Sequence, residues 1–150
     1  MQPSDPHFES RIRESFARQG IMGLLGARLA KVEPGLVVIE LPFRKDLSQQ
    51  HGFFHAGVVS TIMDSAGGYA GYTLFPAGAS VLTVEFKVNL LAPADGDRLV
   101  ATGRVVKAGR TVTVTELSCD VYKDGRAKAC AWGSQTLMRV EGRANMPVPG

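Results

Sequence analysis

The sequence predicts an α+β domain in which one antiparallel sheet curls around a long buried helix. The helix is predicted from the segment 55–75, which holds one charged side chain, Asp64, in twenty-one positions, as expected for a helix buried on all sides. The sheet is predicted from strand-like runs joined by connections too short for parallel crossovers. The length of 150 residues suits one such domain and is too short for two ordinary ones.

The elements before the buried helix are predicted to be one short helix and two strands. Asp5 and Pro6 are signals for the start of the short helix, and Gly20 is a signal for its end. Between them Phe8, Ile12 and Phe16 are spaced four residues apart, as on one face of a helix. Extended runs are expected at 26–32 and 35–43, joined by the turn signal Pro34-Gly35. A loop over 44–54 then leads into the buried helix. Small side chains along that helix would let the sheet approach closely: Ala66, Gly67, Gly68, Ala70 and Gly71.

The chain after the buried helix is predicted to form a four-strand meander. The strand-like runs are 80–91, 97–106, 111–122 and 126–140. The joint Asp124-Gly125 is a strong hairpin signal. A polar, disordered tail is expected from Glu141. Because one curved sheet leaves its edges free, we expect a dimer or a dimer of dimers.

Composition and charge narrow the class of partner. The formal net charge is +3, and the 17 basic side chains are interleaved with 14 acids, which favours small anions over nucleic acid. Four glycines and the central carboxylate in 55–75 argue against a membrane span. Charges at Asp5, Glu9 and Arg11 are not typical of a secretory signal, so a cytoplasmic protein is the default expectation.

The two cysteines, Cys119 and Cys130, are too few for a disulfide scaffold. If Asp124-Gly125 forms a two-residue turn, they face each other across the hairpin. We expect small buried thiols in a reducing compartment, with redox chemistry as the alternative.

Asp64 is the strongest chemical signal in the chain. An ionised carboxylate inside an uncharged helix is costly unless it meets a donor, a partner subunit or a wet cavity. It is a functional residue, a structural one paired with a strand backbone, or one that merely reaches the surface, and its position in the sequence does not decide between these.

The segment before the buried helix offers a second candidate site. A helix start presents unpaired N–H groups and a positive dipole end, which suit an oxyanion. His55 stands at this junction, where it could orient the loop, act on a substrate or simply satisfy local backbone groups. For His51 this last interpretation is preferred. His51, His55 and Asp64 do not form a persuasive metal site, because the two histidines fall in a loop and no Cys or Glu cluster accompanies them.

These residues together resemble the hot-dog fold acyl-CoA thioesterases of the PaaI-like type. The similarity rests on His55-Ala56-Gly57, on Asp64 nine residues after His55, and on Gln49 six residues before it. The family pattern is Asn or Gln, then His-Gly-Gly, then Asp or Glu at the same spacings, so Ala56 departs from it. The resemblance covers about residues 20–140, including Pro93 and the segment 106–111 of the meander.

The resemblance implies a role for each matching residue. Asp64 would be the catalytic carboxylate, acting as general base or as nucleophile on the thioester carbonyl. The backbone N–H of Ala56 would hold the oxyanion, with Gln49 bonding near the thioester and His55 and Gly57 shaping the loop. Thr83 matches the position of a hydroxyl that helps to place water. No metal or redox cofactor is implied.

The resemblance also implies a site shared between two subunits of a homo-oligomer, with the carboxylate from one and the helix start from the other. Lys107 and Arg110, at a hairpin tip, match positions that often meet coenzyme A phosphates, although a charged tip can also be merely solvated. The acyl group is not determined, since Phe53, Phe54 and Phe75 suit an aromatic or a medium-chain pocket. The alternatives are a hot-dog hydratase or dehydratase and a non-catalytic acyl-CoA or acyl-carrier binding module, which the departure at Ala56 keeps open.

Overall fold

The computed structural model describes residues 1–142 and confirms the predicted architecture, a curved antiparallel sheet around a long helix. The helices are α1 (Phe8–Arg18), α2 (Gly20–Leu25) and α3 (Ala56–Tyr72), with a 3₁₀ turn at Lys45–Leu47. The strands are β1 (Arg28–Glu33), β2 (Leu36–Pro42), β3 (Ala79–Leu90), β4 (Arg98–Ala108), β5 (Val112–Lys123) and β6 (Arg126–Glu141). They pair antiparallel in the order β1-β2-β4-β5-β6-β3, which leaves β1 and β3 at the edges.

Glycines on both elements allow α3 to lie directly against the sheet. A methyl group at Gly103 of β4 would fall 2.3 Å from the backbone of Ala66, and one at Gly67 would fall 2.3 Å from Leu117 Cδ2. Neither distance is possible for real atoms, so only glycine permits this packing. The predicted role of small residues is therefore confirmed, except that Gly68 faces open space.

The N-terminal helical region extends further than the sequence predicts. Gly20 does not end it, because only Gln19 is extended and Gly20 begins the second helix, α2. That helix ends at Gly26, which adopts a φ of 77° that favours glycine. Asp5 accepts a 2.9 Å hydrogen bond from the His7 N–H, but the residue that caps α1 is His7.

Arg11 ties α1 to the end of α3. Its guanidinium donates to the carbonyls of Tyr72, Phe75 and Pro76, at 3.3, 2.8 and 3.2 Å, and pairs with Asp5 at 3.0 Å. These carbonyls lie at and just beyond the C-terminus of α3, where a cation also complements the helix dipole. The Arg11 side chain of α1 thus satisfies carbonyl groups at the C-terminal end of the buried helix.

The β5–β6 hairpin has the predicted turn but not the predicted register at the cysteines. Asp124 and Gly125 both adopt positive φ, as a two-residue hairpin turn requires. A bulge at Cys130 then shifts the register, because Asp120 pairs with Ala129 and Cys119 with Ala131. The expectation that Cys119 and Cys130 stand directly opposite is therefore wrong by one residue.

Both cysteines are free and buried, in agreement with the expectation of small buried thiols. The Cys130 thiol donates to the Cys119 carbonyl at 3.3 Å. Hydrogen bonding to Cys130, together with burial, raises the pKa of the Cys119 thiol well above its ordinary value.

The predicted tail lies almost wholly outside the described residues. Glu141 is the last residue of β6, so a tail from that position would begin within a strand, and residues 143–150 are not described. Of the helices in residues 1–142, none is long and apolar enough to cross a membrane.

Candidate active site

The start of α3 combines a side-chain cap with a free backbone donor. The Nδ1 atom of His55 accepts a 2.9 Å hydrogen bond from the Gly57 N–H, so the imidazole caps the start of α3. A methyl group at Gly57 would lie 3.0 Å from that nitrogen, so glycine fits best there. The Ala56 N–H, in contrast, finds no acceptor within residues 1–142.

Alanine is compatible with this position. Among the non-glycine residues of the described chain, only Asp124 has a positive φ, so the backbone of Ala56 is in an ordinary helical conformation. The departure from the His-Gly-Gly pattern therefore leaves the helix start unstrained.

The loop before α3 is held by backbone hydrogen bonds. His55 donates its N–H to the Leu47 carbonyl at 2.9 Å, and Phe54 donates to the Ala94 carbonyl at 3.0 Å. The side-chain oxygen of Gln49 accepts from the His51 N–H, which leaves its amide group free to donate elsewhere. The imidazole of His51 is exposed.

An apolar cavity of about 500 Å³ opens beside the helix start. Gln49 and Ala56 are among its lining residues. Its remaining lining is Phe53, Phe54, Val59, Leu90, Leu91, Ala92, Pro93, Ala94 and Cys130. Phe75 does not reach it, because this residue follows α3 at its far end and packs against Tyr72.

The carboxylate of Asp64 is held by two side chains of the sheet. Thr83 Oγ1, on β3, donates to Asp64 Oδ1 at 2.8 Å. The Nε2 atom of Gln135, on β6, donates to the same oxygen at 2.5 Å. The carboxylate is thus satisfied without a cation, and Oδ2 receives no donor from the described part of the chain.

In the structure the expected site residues lie in two separate groups. Gln49, His55, Ala56 and Gly57 surround the helix start, whereas Asp64 lies eight residues further along α3. At 1.5 Å per residue that spacing is about 12 Å. One chain therefore does not place its own carboxylate beside its own helix start.

Lys107 and Arg110 are exposed at the tip of the β4–β5 hairpin. This tip lies at the C-terminal end of α3, since Val105 bonds to Gly35 and Gly35 bonds to Thr73. Within one chain it is therefore at the opposite end of the helix from Ala56. A more polar depression near the helix start is lined by Phe53, Pro93, Asp95, Val121, Lys123, Asp124, Arg126, Ala127 and Lys128.

Gln135 is the site residue that the sequence reasoning missed. It stands on the helix-facing side of β6, between Gly133 and Leu137, and is fully buried. A polar amide on an otherwise apolar, alternating face is the signal that would have found it. The described residues contain no cluster of three His, Cys, Asp or Glu side chains that could hold a metal ion.

The curved sheet, its central helix and the donor at the helix start define a hot-dog protein. The chain belongs to the thioesterase superfamily, whose family model matches residues 51–130. It is similar to a thioesterase family protein from Silicibacter pomeroyi, with 48% identity and a TM-score of 0.89. The match covers 90% of this chain and 99% of that one.

Two other proteins are similar to the chain. It is 28% identical over 109 residues to acyl-coenzyme A thioesterase 13 of Homo sapiens, covering 72% of this chain and 76% of that protein. The PaaI protein of E. coli, from the phenylacetic acid degradation operon, has the same fold, with a TM-score of 0.78 at 19% identity. That match covers 90% of this chain and 94% of PaaI. The predicted family is thus confirmed, and the activity is thioester hydrolysis.

Proposed function

We propose that the protein hydrolyses an acyl-CoA thioester to the free carboxylic acid and coenzyme A, with Asp64 as the catalytic carboxylate. The observation that carries this proposal is the hydrogen bonding of Asp64, in which Oδ1 takes both donors and Oδ2 remains available. A carboxylate held in this way can accept a proton or attack a carbonyl without first breaking a contact.

The chemistry follows from the two groups of residues. As general base, Asp64 Oδ2 takes a proton from water while the water oxygen forms a bond to the thioester carbon. The carbonyl oxygen becomes an oxyanion that the Ala56 N–H stabilises. Collapse of this intermediate breaks the carbon–sulfur bond, and the sulfur leaves with a proton as free coenzyme A. As nucleophile, Asp64 Oδ2 instead attacks the thioester carbon, the carbon–sulfur bond breaks and coenzyme A leaves as a thiolate that takes a proton from water. Water then cleaves the resulting anhydride and restores the carboxylate. Neither route calls for a metal or a redox cofactor.

A dimer is part of the proposal, because the two groups lie about 12 Å apart along one helix. A second copy would supply the helix start, with its Gln49 and Ala56, opposite the first copy's Asp64. The edge strand β3 supports this arrangement. Its Val84 and Phe86 are 59% and 45% exposed, and they form apolar surface beside the half-buried Asp64 that a second copy would cover.

The apolar cavity beside Gln49 and Ala56 is the proposed acyl pocket. Phe53, Phe54 and Val59 give it an apolar wall, and its volume of about 500 Å³ falls in the range of small-molecule sites. An aromatic or a medium-chain acyl group is compatible with these walls.

A free-thiol release assay with a panel of acyl-CoA thioesters tests this function. The proposal predicts turnover of at least one aromatic or medium-chain substrate by the wild-type protein, and a kcat lower by about 10²-fold or more for Asp64→Asn. Tight binding of acyl-CoA without thiol release would instead indicate the binding module. Addition of water to an enoyl-CoA would indicate a hydratase, and it can be measured as a loss of the ultraviolet absorbance of the enoyl-CoA.

A further inference from the structure

The side chain of Gln135 is fully buried and hydrogen-bonded at both ends. Its Oε1 accepts from Thr115 Oγ1 at 3.1 Å. Its Nε2 donates to Asp64 Oδ1 at 2.5 Å, and lies 3.1 Å from both the Asp64 carbonyl and Thr83 Oγ1. One amide therefore joins the carboxylate, its hydroxyl donor and the backbone of α3.

The acceptors of Asp64 determine which end of the amide faces it. Turning the group over would place Oε1 against the carboxylate, where two acceptors repel, and would lose the donor to Asp64. Thr115 Oγ1 donates to the other end of the amide, Oε1, and anchors it there. The amide is thus held from its far side by a residue other than the carboxylate it serves.

Gly67 leaves the space that the Gln135 amide occupies. A methyl group at Gly67, one turn along α3 from Asp64, would fall 2.2 Å from Gln135 Oε1. An apolar side chain could fill the same space without the cost of burying polar atoms. A buried amide that is hydrogen-bonded at both ends at such a point indicates a task beyond packing.

We propose that Gln135 is a positioning residue for Asp64, which is an inference that rests on the proposed function. Its amide holds Oδ1, together with Thr83, so that Oδ2 is the oxygen presented to water or to the thioester carbon. Gln135 does not line the cavity beside Ala56, so it acts through Asp64 and not through binding of the acyl group.

Gln135→Met tests this role, because methionine keeps the length of the side chain and removes both polar atoms. Misplacing a catalytic group by about 1 Å costs about 10²-fold in rate, so kcat should fall by about 10- to 100-fold. KM should stay within about threefold, since ground-state contacts with substrate are unchanged. In the Asp64→Asn background the same substitution should change the residual rate by less than about twofold, because its effect passes through the carboxylate.

Thr115→Val provides a second test should Gln135→Met fail to fold. It removes the hydroxyl that anchors Oε1 of the amide and leaves Gln135 in place. Thr113→Val is the matched control, since Thr113 is also buried on β5 and its hydroxyl has no hydrogen-bond partner within residues 1–142. We expect Thr115→Val to lower kcat by about threefold or more and Thr113→Val to leave kcat unchanged.

The outcomes separate this role from the function on which it rests. Failure of the wild-type protein to release thiol from any acyl-CoA would contradict the proposed function, and the role of Gln135 with it. An active wild type, an Asp64→Asn slowed by about 10²-fold or more and a Gln135→Met with wild-type kcat would overturn the positioning role alone. A kcat loss that is equally large in the Asp64→Asn background would also overturn it, as would equal kcat for Thr115→Val and Thr113→Val.

Discussion

Thr83 Oγ1 lies 2.8 Å from Asp64 Oδ1 and joins the exposed edge strand β3 to the buried helix α3. The same hydroxyl lies 3.1 Å from Gln135 Nε2, so it can accept from the amide while it donates to the carboxylate. The polar groups of the candidate site are therefore linked in a chain that crosses from the sheet to the helix.

Thr83→Val should lower kcat by about 10-fold. Valine has nearly the same shape as threonine, but it cannot donate to Asp64, and a hydrogen bond to a charged group is worth about 1.5–3 kcal/mol. Thr83→Ser keeps the hydroxyl and should retain most of the activity. Steady-state kinetics on both variants measure the difference, and equal kcat for the two would remove the hydroxyl from the mechanism.

The adjacent glycines of α3 should respond in opposite ways to alanine. Gly67→Ala places a methyl group 2.3 Å from Leu117 and should destabilise the fold by about 1–3 kcal/mol. Gly68→Ala meets nothing within 4 Å and should stabilise the helix by about 0.5–1 kcal/mol. Urea unfolding measures both free energies. Equal effects of the two substitutions would contradict the close packing of helix and sheet.

Val84→Lys should separate the proposed dimer. A lysine ammonium buried without a partner costs about 3 kcal/mol or more, which is about 100-fold or more in the dissociation constant. Activity should be lost together with the dimer, because one chain holds Asp64 and its own Ala56 about 12 Å apart.

Leu24→Lys is the control for that substitution, since Leu24 is 69% exposed on α2, away from β3. Light scattering and thiol release on both variants give the test. A fully active monomer of Val84→Lys would contradict the shared site.

Removal of charge at Lys107 and Arg110 should raise KM more than it lowers kcat. Contacts with coenzyme A phosphates far from the thioester stabilise ground and transition states alike, and the effect should shrink as salt rises. Arg126→Ala with Lys128→Ala is the comparison, because these side chains line the polar depression near the helix start. A rise in KM for that pair alone would place the phosphates in the depression.

The features that sequence predicted best are those that depend on local pattern. The buried helix is visible because Asp64 is the one charge in its segment, and the last hairpin because Asp124-Gly125 is suited to positive φ. The family resemblance rested on residues that lie close to His55 in the sequence, so it too depended on a local pattern.

The features that sequence missed depend on tertiary packing. Gln135 becomes important only when β6 is placed beside β3 and beneath Asp64. A two-residue turn alone predicts that Cys119 pairs with Cys130, but the bulge at Cys130 shifts the register so that Cys119 pairs with Ala131. Phe75 was expected in the acyl pocket, but Arg11 and Tyr72 hold it at the other end of α3.

The most direct test of the central claim is kcat for Asp64→Asn on the best acyl-CoA found in the panel. Asparagine keeps the size of the side chain but can neither accept a proton nor attack a carbonyl. The proposal predicts a fall in kcat of about 10²-fold or more, with unchanged binding of a non-hydrolysable acyl-CoA analogue and a retained thermal midpoint. Near-wild-type turnover, or a lowered midpoint with unchanged activity per folded molecule, would contradict the catalytic role of Asp64.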